Sequence, residues 1–215
     1  MKDTERLLSG AEVLLVKVGT ILQCQRKKTI YSQGSAARGV YYVQKGMVML
    51  TVQSKHRRPV IVAVLGPGSF FNEICLLDHS PCLSTARAIT SSSILVITKE
   101  KMASLLLRKN VVSTFFVSSL LSSMLRFRED LADALVNSAE QRLARALLRL
   151  AHFGKGRRIA RIPKMSRQVL AEMIGTTRSR ANLFMNRFRK RGFVDYNGGL
   201  EVDVHSSLRA VLLRH

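Results

Sequence analysis

The sequence predicts an α+β chain in three parts: an antiparallel β unit, one long helix, and a small helical unit closed by a hairpin. Three observations carry that expectation. Between Thr29 and Val96 apolar residues alternate or come in short runs, broken by Gln33-Gly34, Lys45-Gly46 and Gly66-Pro67-Gly68, which is how strands and their turns read. From about Asn110 to Leu135 there is neither glycine nor proline, and apolar residues recur at steps of three and four, the period of one helix face. Beyond Ser138 positive charge thickens: residues 138–215 hold 17 of the 35 Lys and Arg but 5 of the 14 Asp and Glu.

The strands expected in the first part are Gly39 to Val43, Met47 to Val52, Val60 to Leu65 and Ile94 to Thr98. Several short strands at this spacing form a closed or sandwiched antiparallel sheet. We place this unit, with an N-terminal helix, at residues 1–108. The long helix occupies 109–137. Its stripe of Phe116, Leu120, Met124, Phe127, Leu131 and Leu135 keeps Arg126, Glu129, Asp130 and Asp133 mainly to the side. So long and regular a stripe is a dimer seam; the plainer reading is a helix lying on its own domain's sheet.

A chain of 215 residues with 47% hydrophobic side chains buries a core in each of one or two units. Its net charge of +21 exceeds what solubility needs and calls for a polyanion or an anionic surface. Cys24, Cys75 and Cys82 lack C-x-x-C or Cys/His ligand spacing, so we expect reduced thiols and a cytoplasmic protein. No segment approaches the roughly 18 uninterrupted apolar residues of a membrane span, and no membrane partner is expected. The five histidines are scattered without ligand spacing, which implies no metal. Phosphate-loop, zinc-protease and nucleophile-elbow patterns are missing from the sequence, so no enzyme is expected.

The third part, residues 138–215, carries the most specific pattern. Gly154 to Arg158 reads as a flexible basic loop between helices. Ser166 caps a helix with Val169, Leu170, Met173 and Ile174 at helical spacing; Gly175 then supplies a left-handed turn residue, and Thr176 or Thr177 caps a second helix reaching Arg191. On that helix Ala181, Phe184, Met185 and Phe188 share the packing face. Arg178, Ser179, Arg180, Asn182, Asn186 and Arg187 project elsewhere, and Leu183 lies near the outward face. Guanidinium groups pair bidentately with guanine and carboxamides with adenine in the major groove. Phe193 to Tyr196 and Leu200 to Val202 flank Asn197-Gly198 as a hairpin, a wing. The combination of cap, turn glycine, two-faced helix and wing points to double-stranded DNA as partner; a solvated basic packing module is the bland alternative.

At this point the chain resembles the Crp-Fnr family of bacterial transcription regulators over nearly its whole length. The resemblance is strongest at Met165-Ser166-Arg167-Gln168, at Ala171 through Arg180, at Phe188-Arg189-Lys190 and at Asp195 through Leu200. It implies an antiparallel, jelly-roll-like β-roll sensor, a dimerisation helix and a winged helix-turn-helix. It makes Arg178 the guanine-reading arginine, whereas Ser179 and Leu183 stand where the catabolite activator has a glutamate and a second arginine. Arg180 and Asn182 are taken as substitutes. With Ser166, Arg167, Thr176, Thr177, Asn186 and Lys190 they complete the DNA-binding set.

In the sensor half, Tyr31 to Gly34, Val40 to Gly46 and Gly66 to Glu73 resemble the family's strands and the start of its phosphate cassette. Glu73 matches the ribose-binding glutamate. Asn72 replaces a glycine, and Cys82 stands where the cassette arginine should meet the phosphate. The resemblance implies Asn72, Glu73, Cys82, Ser84, Phe127 and Arg128 as effector contacts and a cyclic nucleotide as ligand, yet losing that arginine removes the phosphate's charge-matched partner and argues against it. Strand alternation keeps Arg87 out of the cassette turn. A different effector, and a sensor working without any, stay open.

The function implied is a homodimeric, sequence-specific DNA-binding transcriptional regulator on a near-palindromic site, with RNA polymerase as partner if it activates. The alternatives are a cyclic-nucleotide-binding regulatory module of another system and a ligand-independent DNA-binding member.

Overall fold

A computed structural model describes residues 2–53, 59–77, 80–151, 159–163, 165–196 and 201–212. The elements in chain order are α1 (Lys2–Val18), β1 (Thr20–Cys24), β2 (Thr29–Tyr31), β3 (Gly39–Lys45), β4 (Val48–Val52), β5 (Val60–Leu65) and β6 (Phe70–Phe71). A 3-10 turn at Glu73–Leu76 leads to β7 (Thr85–Ala88), β8 (Ser92–Thr98), α2 (Lys99–Arg108), α3 (Asn110–Val136) and α4 (Ala139–Ala151). There follow β9 (Ile159–Pro163), α5 (Arg167–Met173), α6 (Arg178–Lys190), β10 (Val194–Asp195), β11 (Glu201–His205) and a last 3-10 turn, Ser206–Val211. Contacts divide the chain into two compact units, residues 1–127 and 128–215.

The first unit is two antiparallel sheets, ordered β1-β8-β3-β6 and β2-β7-β4-β5. Strand alternation assigns β3 to two cores at once. Val40 and Tyr42 face a cluster with Leu95, Ile97, Phe70 and the helical residues Leu15, Met102, Val112, Phe115 and Phe116. Val43 faces the other way, joining Phe71, Val48, Ala86, Ala88, Ile94 and Cys24. Burial on both faces explains why Gly39 to Val43 reads as an almost unbroken apolar run. Apolar alternation did not single out β1, β2, β6 or β7, which are short or, in Thr-Ala-Arg-Ala, poor in large apolar residues. Tyr42 donates its hydroxyl hydrogen to Glu12, tying α1 to β3.

The long helix serves two masters. Phe116, expected in the seam, is instead buried (5% exposed), its ring 5.1 Å from that of Phe70; the unit's own core takes it, so the exposed stripe starts one turn later. Leu120, Met124, Phe127, Leu131 and Leu135 are exposed, with Leu121 and Leu125 beside them. Among the described residues α3 is the one helix long and apolar enough, by length and composition, to cross a membrane.

In the second unit the end of α3 pairs with α4. Arg145 meets Asp133 at 2.8 Å, and Arg149 meets Asp130 and Glu129. The contact boundary therefore falls inside α3 and not at residue 138. Leu143, Leu147, Leu170, Ala181, Met185, Phe188, Val204 and Leu208 form the buried interior. The wing is three-stranded: β10 pairs β11, and β11 pairs β9. The chain after α4 thus leads into a strand, where a helix had been expected. Residues 152–158, including the Gly154 to Arg158 stretch, and the Asn197 to Leu200 turn lie outside the described residues.

Candidate nucleic-acid interface

The first helix of the motif begins where Ser166 accepts a hydrogen bond from the Val169 amide at 3.2 Å. It ends in a Schellman arrangement: the Thr176 amide reaches the Ala171 carbonyl at 2.9 Å, and the Gly175 amide points to Glu172 at 3.4 Å. Gly175 has φ +62°, the left-handed region that glycine enters without the Cβ penalty. Of the two candidate caps for the second helix, Thr177 is the one used; its side chain accepts from the Arg180 amide at 3.3 Å. Helix, turn and helix are therefore fixed by contacts within the fifteen residues Ser166 to Arg180.

On α6, Ala181, Phe184, Met185 and Phe188 are buried. Arg178, Ser179, Arg180, Asn182, Asn186 and Lys190 are exposed, as are Thr177 and Ser166, while Thr176 and Arg167 are half-buried. The expected DNA-binding side chains are thus all exposed or half-buried, and none is taken into the core. Leu183 is also exposed, at 53%. Arg187 is occupied differently: its guanidinium meets Glu140 of α4 at 2.7 Å and braces the helix.

The roles of two residues escaped the sequence reading. Tyr196, just after β10, lies under the Arg167 guanidinium (5.0 Å to the ring centroid) and near that of Arg189 (6.0 Å). Arg142 of α4 donates to the Ile174 carbonyl through Nε and Nη2, at 3.1 and 3.0 Å, and through Nη1 to Asn137 at 2.8 Å and Ala134 at 3.5 Å. It joins the end of α3 to the residue before the Gly175 turn. The Arg167–Tyr196 and Arg142–Ile174 contacts reach across 29 and 32 positions, too far for local spacing to show them.

The expected effector residues fare otherwise. Asn72 adopts the left-handed conformation (φ 61°) and donates its amide hydrogen to the Gly39 carbonyl at 2.9 Å. It is 7% exposed, so its side chain is consumed by the fold; the expectation of an effector contact is corrected. Cys82 is a free, buried cysteine where the resemblance calls for an arginine. Ser84 is hydrogen-bonded to Tyr31, opposing the burial that drives that phenol's pKa up. Glu73 lies largely buried, which raises its carboxyl pKa against the pull of its own backbone hydrogen bond. Burial, with Glu73 adding to it, lifts the Cys75 thiol to about 11. Arg87 is exposed between inward-facing Ala86 and Ala88, outside the turn as alternation implied. Tyr31, Tyr41 and Phe71 stack between the sheets, centroids 5.1 to 6.0 Å apart. Phe127 and Arg128 are exposed on α3.

Comparison with known proteins agrees with this geometry at both ends. Residues 21–109 match the model of the cyclic nucleotide-binding domain, and residues 141–211 that of the Crp-like helix-turn-helix domain. The chain belongs to the Crp-Fnr family of transcriptional regulators. A CRP-like cAMP-activated global transcriptional regulator of Mycobacterium tuberculosis is 23% identical over 176 residues, covering 80% of this chain and 79% of its own length. A cyclic AMP receptor protein of Thermus thermophilus is 28% identical over 173 residues, covering 80% and 78%. In fold, the structure of FixK2 from Bradyrhizobium japonicum superposes with a TM-score of 0.74 at 21% identity, over 92% of this chain and 98% of that one. In this Crp-Fnr regulator, α5 and α6 are the helix-turn-helix of the DNA-binding domain.

Proposed function

We propose that this Crp-Fnr regulator works as a cytoplasmic homodimer, joined along α3, that sets its two α6 helices into successive major grooves of a near-palindromic site. Successive grooves on one face lie about 34 Å apart, which a two-fold dimer matches. The observation that carries the reading is the division of α6: four apolar residues buried, and arginine, serine and asparagine side chains exposed from a doubly capped motif. Arg178 reads guanine through its two-pronged guanidinium, and Arg180, Asn182, Ser179 and Asn186 take neighbouring base edges or phosphates. Ser166, Arg167, Thr176, Thr177 and Lys190 hold the backbone.

A second copy is the fitting cover for the exposed Leu120, Met124, Phe127, Leu131 and Leu135, because apolar surface of this extent gains free energy when removed from water. RNA polymerase is the further partner if the regulator activates.

Gel-shift titration on duplexes enriched from a random library tests the reading: a full palindrome should bind far more tightly than a single half-site. Equal binding to scrambled duplexes, with only a steep salt dependence, would refute it.

The cassette favours a sensor that does not take a cyclic nucleotide in the manner the relatives' names suggest. A nucleotide phosphate needs a charge-matched donor, and the residue at that place is a buried thiol. Calorimetric titration with cyclic AMP and cyclic GMP should give no binding heat, and micromolar binding would reverse this.

A further inference from the structure

Asn182 sits on the exposed face of α6, and Nε of Arg167 donates to its Oδ1 at 3.2 Å. A guanidinium carries donors only, so the group facing Arg167 has to be the carboxamide oxygen, and the NH2 is turned the other way. Arg167 is itself held in place. Its guanidinium lies 5.0 Å from the centroid of the Tyr196 ring, and that of Arg189 lies 6.0 Å from the same ring. Cations are attracted to the face of an aromatic ring, and the Tyr196 hydroxyl is buried. One aromatic residue of the wing therefore locks an arginine of α5, which locks an asparagine of α6.

We propose that Tyr196 and Arg167 are positioning residues that set the base preference of Asn182, by holding its carboxamide oxygen on the guanidinium and leaving the amide hydrogens for the groove. An asparagine that reads adenine uses both ends of its carboxamide, accepting from N6 and donating to N7. Here the accepting end is engaged. One of the oxygen's two lone pairs is thereby taken, which weights the Arg167–Asn182 pair toward donors, and these fit edges that accept: O6 and N7 of guanine, or O4 of thymine. This rests on α6 lying in the major groove, and it reverses the adenine expectation that asparagine alone would raise.

Enrichment of random duplexes by the full-length chain tests it at single-base level. The position whose preference disappears in Asn182→Ala should, in the unaltered chain, favour guanine or thymine over adenine by about tenfold, within the range of one good base contact. Asn182→Asp keeps the acceptor for Arg167 but removes the donors, and should move that position toward cytosine. Tyr196→Leu should let Arg167 leave and raise adenine there at least about threefold, while Tyr196→Phe, which keeps the ring, should not. Arg167→Lys provides a second route to the same shift, because it keeps the charge and loses the planar fork. A structural role alone would lower binding at every position without changing this one. Adenine at the Asn182-dependent position of the unaltered chain, or unchanged preference in both Tyr196→Leu and Arg167→Lys, overturns the proposal. Enrichment of no sequence at all would instead overturn the groove-reading function beneath it.

Discussion

Asn72 and Asn182 show how differently the two units treat the same side chain. Around the Glu73–Leu76 turn, Asn72 spends its amide on the Gly39 carbonyl, Ser84 on Tyr31, and Glu73 is driven toward its neutral form by burial. On α6 the polar groups stand in solvent while the apolar ones pay for the helix. Polar chemistry that faces inward holds a fold together; the same chemistry facing outward on a rigid support is available to a partner. The difference teaches that residue type alone does not mark a site. In the cassette region the polar groups of Asn72 and Ser84 are turned to internal use.

Breaking the support of the outward face should have the largest effect. Phe188→Ala removes a fully buried ring and should destabilise the DNA-binding unit by about 3–5 kcal/mol, read by denaturant unfolding, with DNA binding lost in parallel. Next comes the outward face itself. Arg178→Ala should cost about 1–3 kcal/mol on the preferred site and relax choice at one base, whereas Lys190→Ala should weaken all sequences alike and reduce the salt slope by about one unit; fluorescence anisotropy across salt concentrations separates the two.

In the cassette, Asn72→Ala should lower stability by about 1–2 kcal/mol, because alanine resists the left-handed backbone and the Gly39 carbonyl loses its donor. Asn72→Gly should be milder, since only the second penalty remains. Neither should alter DNA sequence preference.

The smallest effect belongs to Glu73. Its folded pKa is raised above the ordinary 4.5 by burial, so the folded state holds the proton more tightly than the unfolded one. The stability this contributes is full below the unfolded pKa and is lost as pH rises through the folded value. Glu73→Gln should therefore gain stability relative to the unaltered chain as pH climbs from 4.5 toward neutrality, and melting curves across that window should show the two converging at the acid end.

The helix-turn-helix was legible in the sequence because its determinants are local: a cap at Ser166, a left-handed glycine at 175, a cap at Thr177 and apolar residues at helical spacing all lie within one short stretch. The strands of the first unit were legible where the apolar run is nearly unbroken, as in β3, β4 and β5, and missed where it is two residues long or interrupted by polar side chains, as in β6 and β1. Phe116 was misplaced because periodicity continues through a helix whose two ends meet different surroundings. For Asn72 the deciding partner is 33 residues away in sequence, and no pattern near Asn72 could announce it. β9 went unseen for the same reason, since Ile162 is buried only once β11 is paired beside it. Tyr196 gave no signal beyond its place in the wing.

The fastenings around the end of α3 are of two chemical kinds. Arg145 and Arg149 hold carboxylates, whose attraction salt screens at their exposed edges. Arg142 holds only neutral main-chain oxygens at the ends of α3 and α5, and neither proton nor counterion removes those partners. As solvent conditions change, the ladder along the two helices loosens first and the joint at the turn last, so the pivot outlives its struts.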